Sequence, residues 1–144
     1  MNVARLLATK GMGVVTIRPD QTIREAIDLL SRHNIGALVV VNKTDRPVGI
    51  ISERDIVRQL ARQEELFTDP VSTIMTKNLI TGMPQDDLKS VANTMTEKRI
   101  RHLPLVDQGK LVGIISIGDV VRAQRDQYQG EIDTLQNHIL GDAA

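Results

Sequence analysis

The chain has 144 residues, 18 Lys+Arg against 18 Asp+Glu, and no cysteine. This length allows one ordinary domain or two small halves sharing a core; zero net charge offers no broad basic face to a nucleic-acid backbone; and the missing cysteines exclude disulfides, thiolate metal sites and cysteine nucleophiles. With one Phe (Phe67), one Tyr (Tyr128) and no Trp, a ring-shaped ligand has to lie between aliphatic side chains and backbone, and base stacking on single-stranded nucleic acid is disfavoured.

Val3 to Thr9 reads as a short amphipathic helix ended by Gly11 and Gly13. Met1 to Gly13 holds Arg5 and Lys10 but no apolar block, and the longest apolar run, Ala37 to Val41, is far short of the about 20 residues of a membrane helix. Neither secretion nor membrane insertion is expected, so the chain reads as cytoplasmic. A strand over Val14 to Ile17 enters a turn at Pro19-Asp20, and Ile23, Ala26, Ile27 and Leu30 then follow at helical spacing. Two β-rich strands, Ala37 to Val41 and Val48 to Ile51, are joined by the turn residues Asn42 to Pro47, and a second helix starts near Glu53. Gln63 to Thr76 is a connection with a helix-breaking point at Asp69-Pro70.

The same grammar then returns. A strand over Leu79 to Thr81, a turn at Pro84-Gln85 and a helix carrying Leu88, Val91, Ala92 and Met95 precede strands over Leu103 to Val106 and Leu111 to Ile115, and a helix from Ile117. A shift of 65 positions aligns Thr16 with Thr81, Pro19 with Pro84, Ile35 with Ile100 and Val41 with Val106; a shift of 64 aligns Val48-Gly49-Ile50-Ile51-Ser52 with Val112-Gly113-Ile114-Ile115-Ser116, and Asp55 with Asp119. The chain is therefore an internal duplication. Each copy is a β-α-β-β-α unit too small to bury a core by itself, so the expected class is α+β, two repeats packed through their sheets with pseudo-twofold symmetry. Beyond the second copy, Val121, Tyr128, Ile132, Leu135 and Ile139 form an apolar stripe at helical steps, with Gly130 a point of kinking or of close packing. Packing on the stripe's own molecule is the first reading and a dimer seam the second.

The chemistry concentrates in Gly49-Ile-Ile-Ser-Glu-Arg-Asp55 and Gly113-Ile-Ile-Ser-Ile-Gly-Asp119. Each is a buried strand ending in serine at a helix N-cap, with a carboxylate three positions on. That spacing is a capping box, which satisfies free backbone N–H groups. The same corner suits a nucleotide: the helix N-terminus attracts phosphate, a first-turn carboxylate can accept from the vicinal hydroxyls of a ribose, and Ser52 and Arg54 can reach the phosphate. Both readings stand, since capping places these groups at the mouth of a cleft.

The duplication, the segment Arg-Ile-Arg-His-Leu-Pro-Leu-Val-Asp (Arg99 to Asp107) and the paired Gly-Ile-Ile-Ser-x-x-Asp motifs resemble a tandem pair of cystathionine-β-synthase (CBS) domains, a Bateman module of the stand-alone type. The resemblance covers roughly residues 8 to 128. It implies a first repeat over 8–65, a connection over 66–77, a second repeat over 78–128 and a C-terminal helical extension over 129–144. It also implies a regulatory module without catalysis that senses energy or redox state by binding an adenine nucleotide, AMP first and ATP or NAD(H) next, with no metal required. A homodimer and an unknown effector protein are implied as partners.

In this family each cleft mixes the repeats. Carried onto this chain, the first cleft would take Ser52, Arg54 and Asp55 with Thr81, Gly82, Met83, Pro84, Ile100, Arg101, His102, Leu103 and Pro104. The second would take Ser116 and Asp119 with Thr16, Ile17, Arg18, Pro19, Ile35, Gly36, Ala37, Leu38 and Val39. Asp55 and Asp119 would hold ribose hydroxyls, and Ile35, Ile100 and Met83 would flank the adenine. Repeat one departs from the pattern in having Val39 where repeat two has Pro104. Arg54, Arg99, Arg101 and His102 gather at the first cleft, whereas Gly118 and Gly36-Ala37 stand at the matching places of the second, so the first is expected to take the more highly charged ligand. A protein-interaction adaptor or RNA-binding module using the basic patch Lys98 to His102 is the alternative. An enzyme is not expected: His33, His102 and His138 fall in unrelated contexts and no phosphate loop with Lys-Ser/Thr is present.

Overall fold

The computed structural model describes residues 1–11 and 13–143, and of residues 139–143 the backbone alone. Its elements are α1 (Val3–Lys10), β1 (Thr16–Ile17), α2 (Ile23–His33), β2 (Ala37–Val41), β3 (Pro47–Ser52), α3 (Glu53–Leu60), a single 3-10 turn (Val71–Thr73), α4 (Leu88–Glu97), β4 (His102–Asp107), β5 (Lys110–Ser116) and α5 (Ile117–Ala143). β1 pairs parallel with β2, which pairs antiparallel with β3; β4 and β5 form a matching antiparallel hairpin. The registers repeat, with Ala37 opposite Ser52 in one copy and His102 opposite Ser116 in the other.

The expected strand over Leu79 to Thr81 does not form. One residue, Gly82, makes a parallel bridge to Leu105, where β1 contributes two. A tight backbone turn from Lys77 to Leu79 precedes it, and the Asp86 carboxylate captures the Met83 N–H right after it, so a local turn on one side and a side-chain bond on the other end the pairing.

Two apolar clusters make the core, and each is completed by a segment from outside its own repeat. Val3, Leu6 and Leu7 of α1 pack with Leu88, Val91, Met95, Leu103, Leu105, Ile115 and Val120 of repeat two. Leu66 and Val71, from the connection, pack with Ile17, Ile23, Ala26, Leu30, Leu38, Val40, Ile51 and Ile56 of repeat one. The backbone makes the same exchange twice: Val3 N–H bonds Asp86 C=O and Leu88 N–H bonds Met1 C=O, while Val71 N–H bonds Gln21 C=O and Ile23 N–H bonds Asp69 C=O. The segment that precedes each repeat thus docks on the other. Close approach needs room, and the duplicated motif supplies it: a Cβ on Gly49 would sit 2.5 Å from the Met75 sulfur and 3.1 Å from Thr76 O, and one on Gly113 2.7 Å from a Leu7 methyl. β2 is buried along its whole length. Leu38 and Val40 enter the first repeat's cluster, while Ala37, Val39 and Val41 point to the opposite face, where the two repeats pack through their sheets.

The C-terminal stripe does not pack on its own molecule. Along α5, Val121, Tyr128, Ile132 and Leu135 are 47–62% exposed, and the Ile139 side chain lies outside the described residues. α5 continues through Gly130, where an added Cβ would meet nothing within 4 Å, so the glycine does not serve close packing.

Candidate functional site

Both Ser-x-x-Asp corners form capping boxes. At the start of α3, Asp55 N–H donates to Ser52 Oγ (3.2 Å) while Asp55 Oδ2 accepts from Ser52 N–H (2.9 Å) and from its hydroxyl (3.0 Å). Asp55 Oδ1 accepts nothing among the described residues. At the start of α5, Asp119 N–H donates to Ser116 Oγ (3.1 Å) and Asp119 Oδ2 accepts from Ser116 N–H (2.8 Å). Here the carboxylate is also taken from outside: Lys10 Nζ lies 2.6 Å from Oδ2 and Arg122 2.7 Å from Oδ1. Burial alone would raise the Asp119 pKa, but the Lys10 hydrogen bond, the Ser116 N–H and the Lys10 charge overcome it and hold the carboxyl below its usual value.

Each corner is tied back to its own repeat and opens on a cleft that residues of the other repeat also line. Glu53 N–H is tied to Gly36 C=O (3.0 Å), and at the matching place Ile117 N–H is tied to Arg101 C=O (2.8 Å). A first cleft of about 270 Å³ is lined by Ser52, Glu53, Arg54, Asp55 and Arg58 of one repeat, by Arg99, Ile100, Arg101 and His102 of the other, and by Gly36, Ile50 and Thr76. A second, of about 350 Å³, is lined by Ser116, Asp119, Ile114 and His102 with Asn34, Ile35, Gly36 and Ala37, and with Val15, Gly13 and Lys10. Gly36 and His102 belong to both, so the clefts share a wall. Burial, then the Lys10 charge, hold His102 below its usual pKa, against the opposing pull of Glu53 and Asp119; Arg101 adds to the lowering.

The structure therefore brings together Ser52, Arg54, Asp55, Ile100, Arg101 and His102, and separately Ser116, Asp119, Ile35, Gly36 and Ala37. It does not bring the remaining expected residues to either lining. Ile17, Leu38, Val39, Leu103 and Pro104 are buried in their strands, and Thr16 is exposed beside Val39. Arg18 turns to Asp45 (3.8 Å), with Pro19 in the turn that receives Ser72. Thr81 is exposed and Gly82 pairs with Leu105. Met83, 47% exposed, and Pro84 belong to the turn that receives α1, so Met83 does not flank the cleft. Arg58, one helical turn beyond Arg54, carried a readable signal and was missed; Thr76 and Lys10 carried none, because distant segments deliver them.

The first cleft is strongly cationic. Arg54, Arg58, Arg99 and Arg101 form no ion pair among the described residues. Arg99 also sits in the left-handed region (φ 55°), as its counterpart Asn34 does (φ 51°). Asparagine tolerates that conformation, whereas arginine is strained there by about 1 kcal/mol, and such strain clusters at ligand sites. Open arginines, a helix N-terminus and a half-used carboxylate together suit a sugar phosphate. No group of described residues is arranged to hold a metal ion, and no described helix is long and apolar enough to cross a membrane.

The family model for the CBS domain matches this chain twice, over residues 5–62 and 71–126. Among solved structures, the CBS-domain containing protein ATU1752 from Agrobacterium tumefaciens is 42% identical, with a TM-score of 0.82 over 86% of this chain and 99% of that one. The CBS domain pair of MJ0100 in complex with 5-methylthioadenosine and S-adenosyl-L-methionine is 30% identical, with a TM-score of 0.79 over 88% and 98%. CBSX2 in complex with AMP is 25% identical, with a TM-score of 0.72 over 88% and 98%.

Proposed function

From the premise that the chain belongs to the CBS-domain family, as a tandem pair, we propose that it is a regulatory module that binds an adenine nucleotide without turning it over. The observation that carries this reading is the first cleft, where Asp55, with one carboxylate oxygen unused, and four arginines of both repeats that form no ion pair among the described residues line one cavity. The ribose hydroxyls donate to Asp55, the phosphate lies against Ser52, Arg54 and the start of α3, and Ile100 covers a face of the adenine in place of an aromatic ring. Neighbours crystallised with AMP, 5-methylthioadenosine or S-adenosyl-L-methionine support an adenosine-containing ligand; the arginines favour AMP or ATP over uncharged members of that class. Because the cavity is built from both repeats, binding stabilises one arrangement of the two and so shifts their equilibrium, the state an effector protein would read as energy or redox status. Two chains pair through the exposed stripe of α5, making a homodimer, in the cytoplasm.

Thermal melting with AMP, ATP, NADH, S-adenosylmethionine and a short RNA tests the reading. A rise of several degrees with AMP or ATP and none with RNA is expected. A shift with RNA alone would instead favour a nucleic-acid role for the Lys98 to His102 patch.

A further inference from the structure

The duplication carries an internal control that sets the two clefts apart. At the first, Ile50 C=O accepts the Thr76 N–H (2.9 Å) and Ile50 N–H donates to Thr76 C=O (3.0 Å), so the incoming segment arrives extended and seals the strand edge with backbone. Ile114 holds Ile50's place in repeat two, and Leu7, which meets Gly113 as Met75 meets Gly49, holds that of Met75. Here the incoming segment is still helical, since α1 runs to Lys10, and a helix cannot offer the edge a backbone N–H. The Lys10 ammonium takes over, donating to Ile114 C=O (2.8 Å) and to Asp119 Oδ2 (2.6 Å). Among the described residues no lysine lines the first cleft.

We propose that Lys10 is the specificity-determining residue of the second cleft: its ammonium occupies the carboxylate that a ribose would use, so the chain takes one adenine nucleotide, in the first cleft, until Lys10 is displaced. This rests on the reading of the clefts as nucleotide sites. Arg122 closes the remaining oxygen, Asp119 Oδ1, and Gly118 stands where the first cleft has Arg54, so an entering nucleotide meets two occupied oxygens and one cation fewer. The lock is a side chain and not the fold. Val3, Leu6 and Leu7 anchor α1 in the core, whereas the Lys10 side chain is 36% exposed and can swing away with the helix in place. A partner or anion that draws Lys10 off would open the second cleft.

Calorimetric titration of the full chain with AMP tests the lock. One AMP per chain is expected for the unmodified protein and two for Lys10→Met, which keeps an aliphatic stem and helix propensity without the charge. The second site should tighten about tenfold, the lower end for removing a competing hydrogen bond to a charged group. Lys10→Arg, which keeps the cation, should stay at one, and Asp119→Asn added to Lys10→Met should return the count to one. Two sites in the unmodified chain, or one in both the unmodified chain and Lys10→Met, would overturn the lock and leave the first-cleft reading standing. No AMP in the unmodified chain with one in Lys10→Met would keep the lock and refute the first-cleft reading; no AMP in either would overturn both.

Discussion

Asp55, a lining residue of the first cleft, uses its two carboxylate oxygens differently, Oδ2 holding the start of α3 and Oδ1 accepting nothing among the described residues. Capping and ribose binding are therefore not rivals. Asp55→Ala should lower stability by about 1 kcal/mol through the lost cap, seen in urea denaturation, and weaken AMP binding by about 1.5–3 kcal/mol through the lost charged hydrogen bond, seen in calorimetry. Lower stability with unchanged affinity would leave the residue a cap alone. His102 gives a pH signature. Its folded pKa lies below the ordinary value because burial and then the Lys10 charge disfavour the imidazolium. As pH falls through about 6.5, the unfolded chain takes up this proton first, so stability falls until the lower folded value is reached. Asp119 adds a lower limb: its contribution is present above the ordinary carboxylate range and is lost as pH drops through its depressed folded value. Denaturation midpoints against pH should show the upper limb in the parent chain and not in His102→Gln; a limb that survives in the variant would assign it elsewhere. The corner residues were legible because serine, carboxylate and spacing are local and occur twice. The Lys10 contact was not, since 109 positions separate Lys10 from Asp119 and no periodicity links them.

At the scale of elements, α1 and the connection do the same job for opposite repeats, although one is an eight-residue helix and the other a single 3-10 turn. Helical spacing revealed α1, but no local pattern told which repeat its apolar face would cover; that depends on the chain crossing between the copies. The strand expected over Leu79 to Thr81 failed because Asp86 and the turns beside it compete for the backbone, a contest that β-propensity does not weigh. α5 shows the limit of periodicity most plainly. The stripe was readable, and its exposure was not, because spacing gives a face without saying what covers it. With Val121, Tyr128, Ile132 and Leu135 exposed on that face, Ile132→Glu should convert a dimer to monomer in sedimentation equilibrium while leaving the far-ultraviolet dichroism of the fold unchanged. A dimer that survives the charge would place its seam on another surface.

Across the whole molecule, each core needs a segment from the other half, so neither repeat is a complete folding unit. Leu6 is 3% exposed, and it lies in repeat two's cluster though it stands ahead of β1 in the chain. Leu6→Ala should cost about 2–5 kcal/mol in a single cooperative transition that unfolds both repeats together; two separate transitions would show the halves to be independent. This interlocking would tie the proposed ligand binding to the arrangement of the entire chain, and the wall of Gly36 and His102 common to both clefts places the two clefts side by side. The duplication and the mixed α+β class follow from the 64- and 65-residue shifts visible in the sequence; the exchange of leading segments arises only from packing. The most direct measurement is a crystal structure of the chain grown with AMP. The ribose is expected on Asp55 Oδ1 and the phosphate beside Arg54 in the first cleft. AMP bound away from that cleft, or a first cleft left empty at saturating AMP, would contradict it.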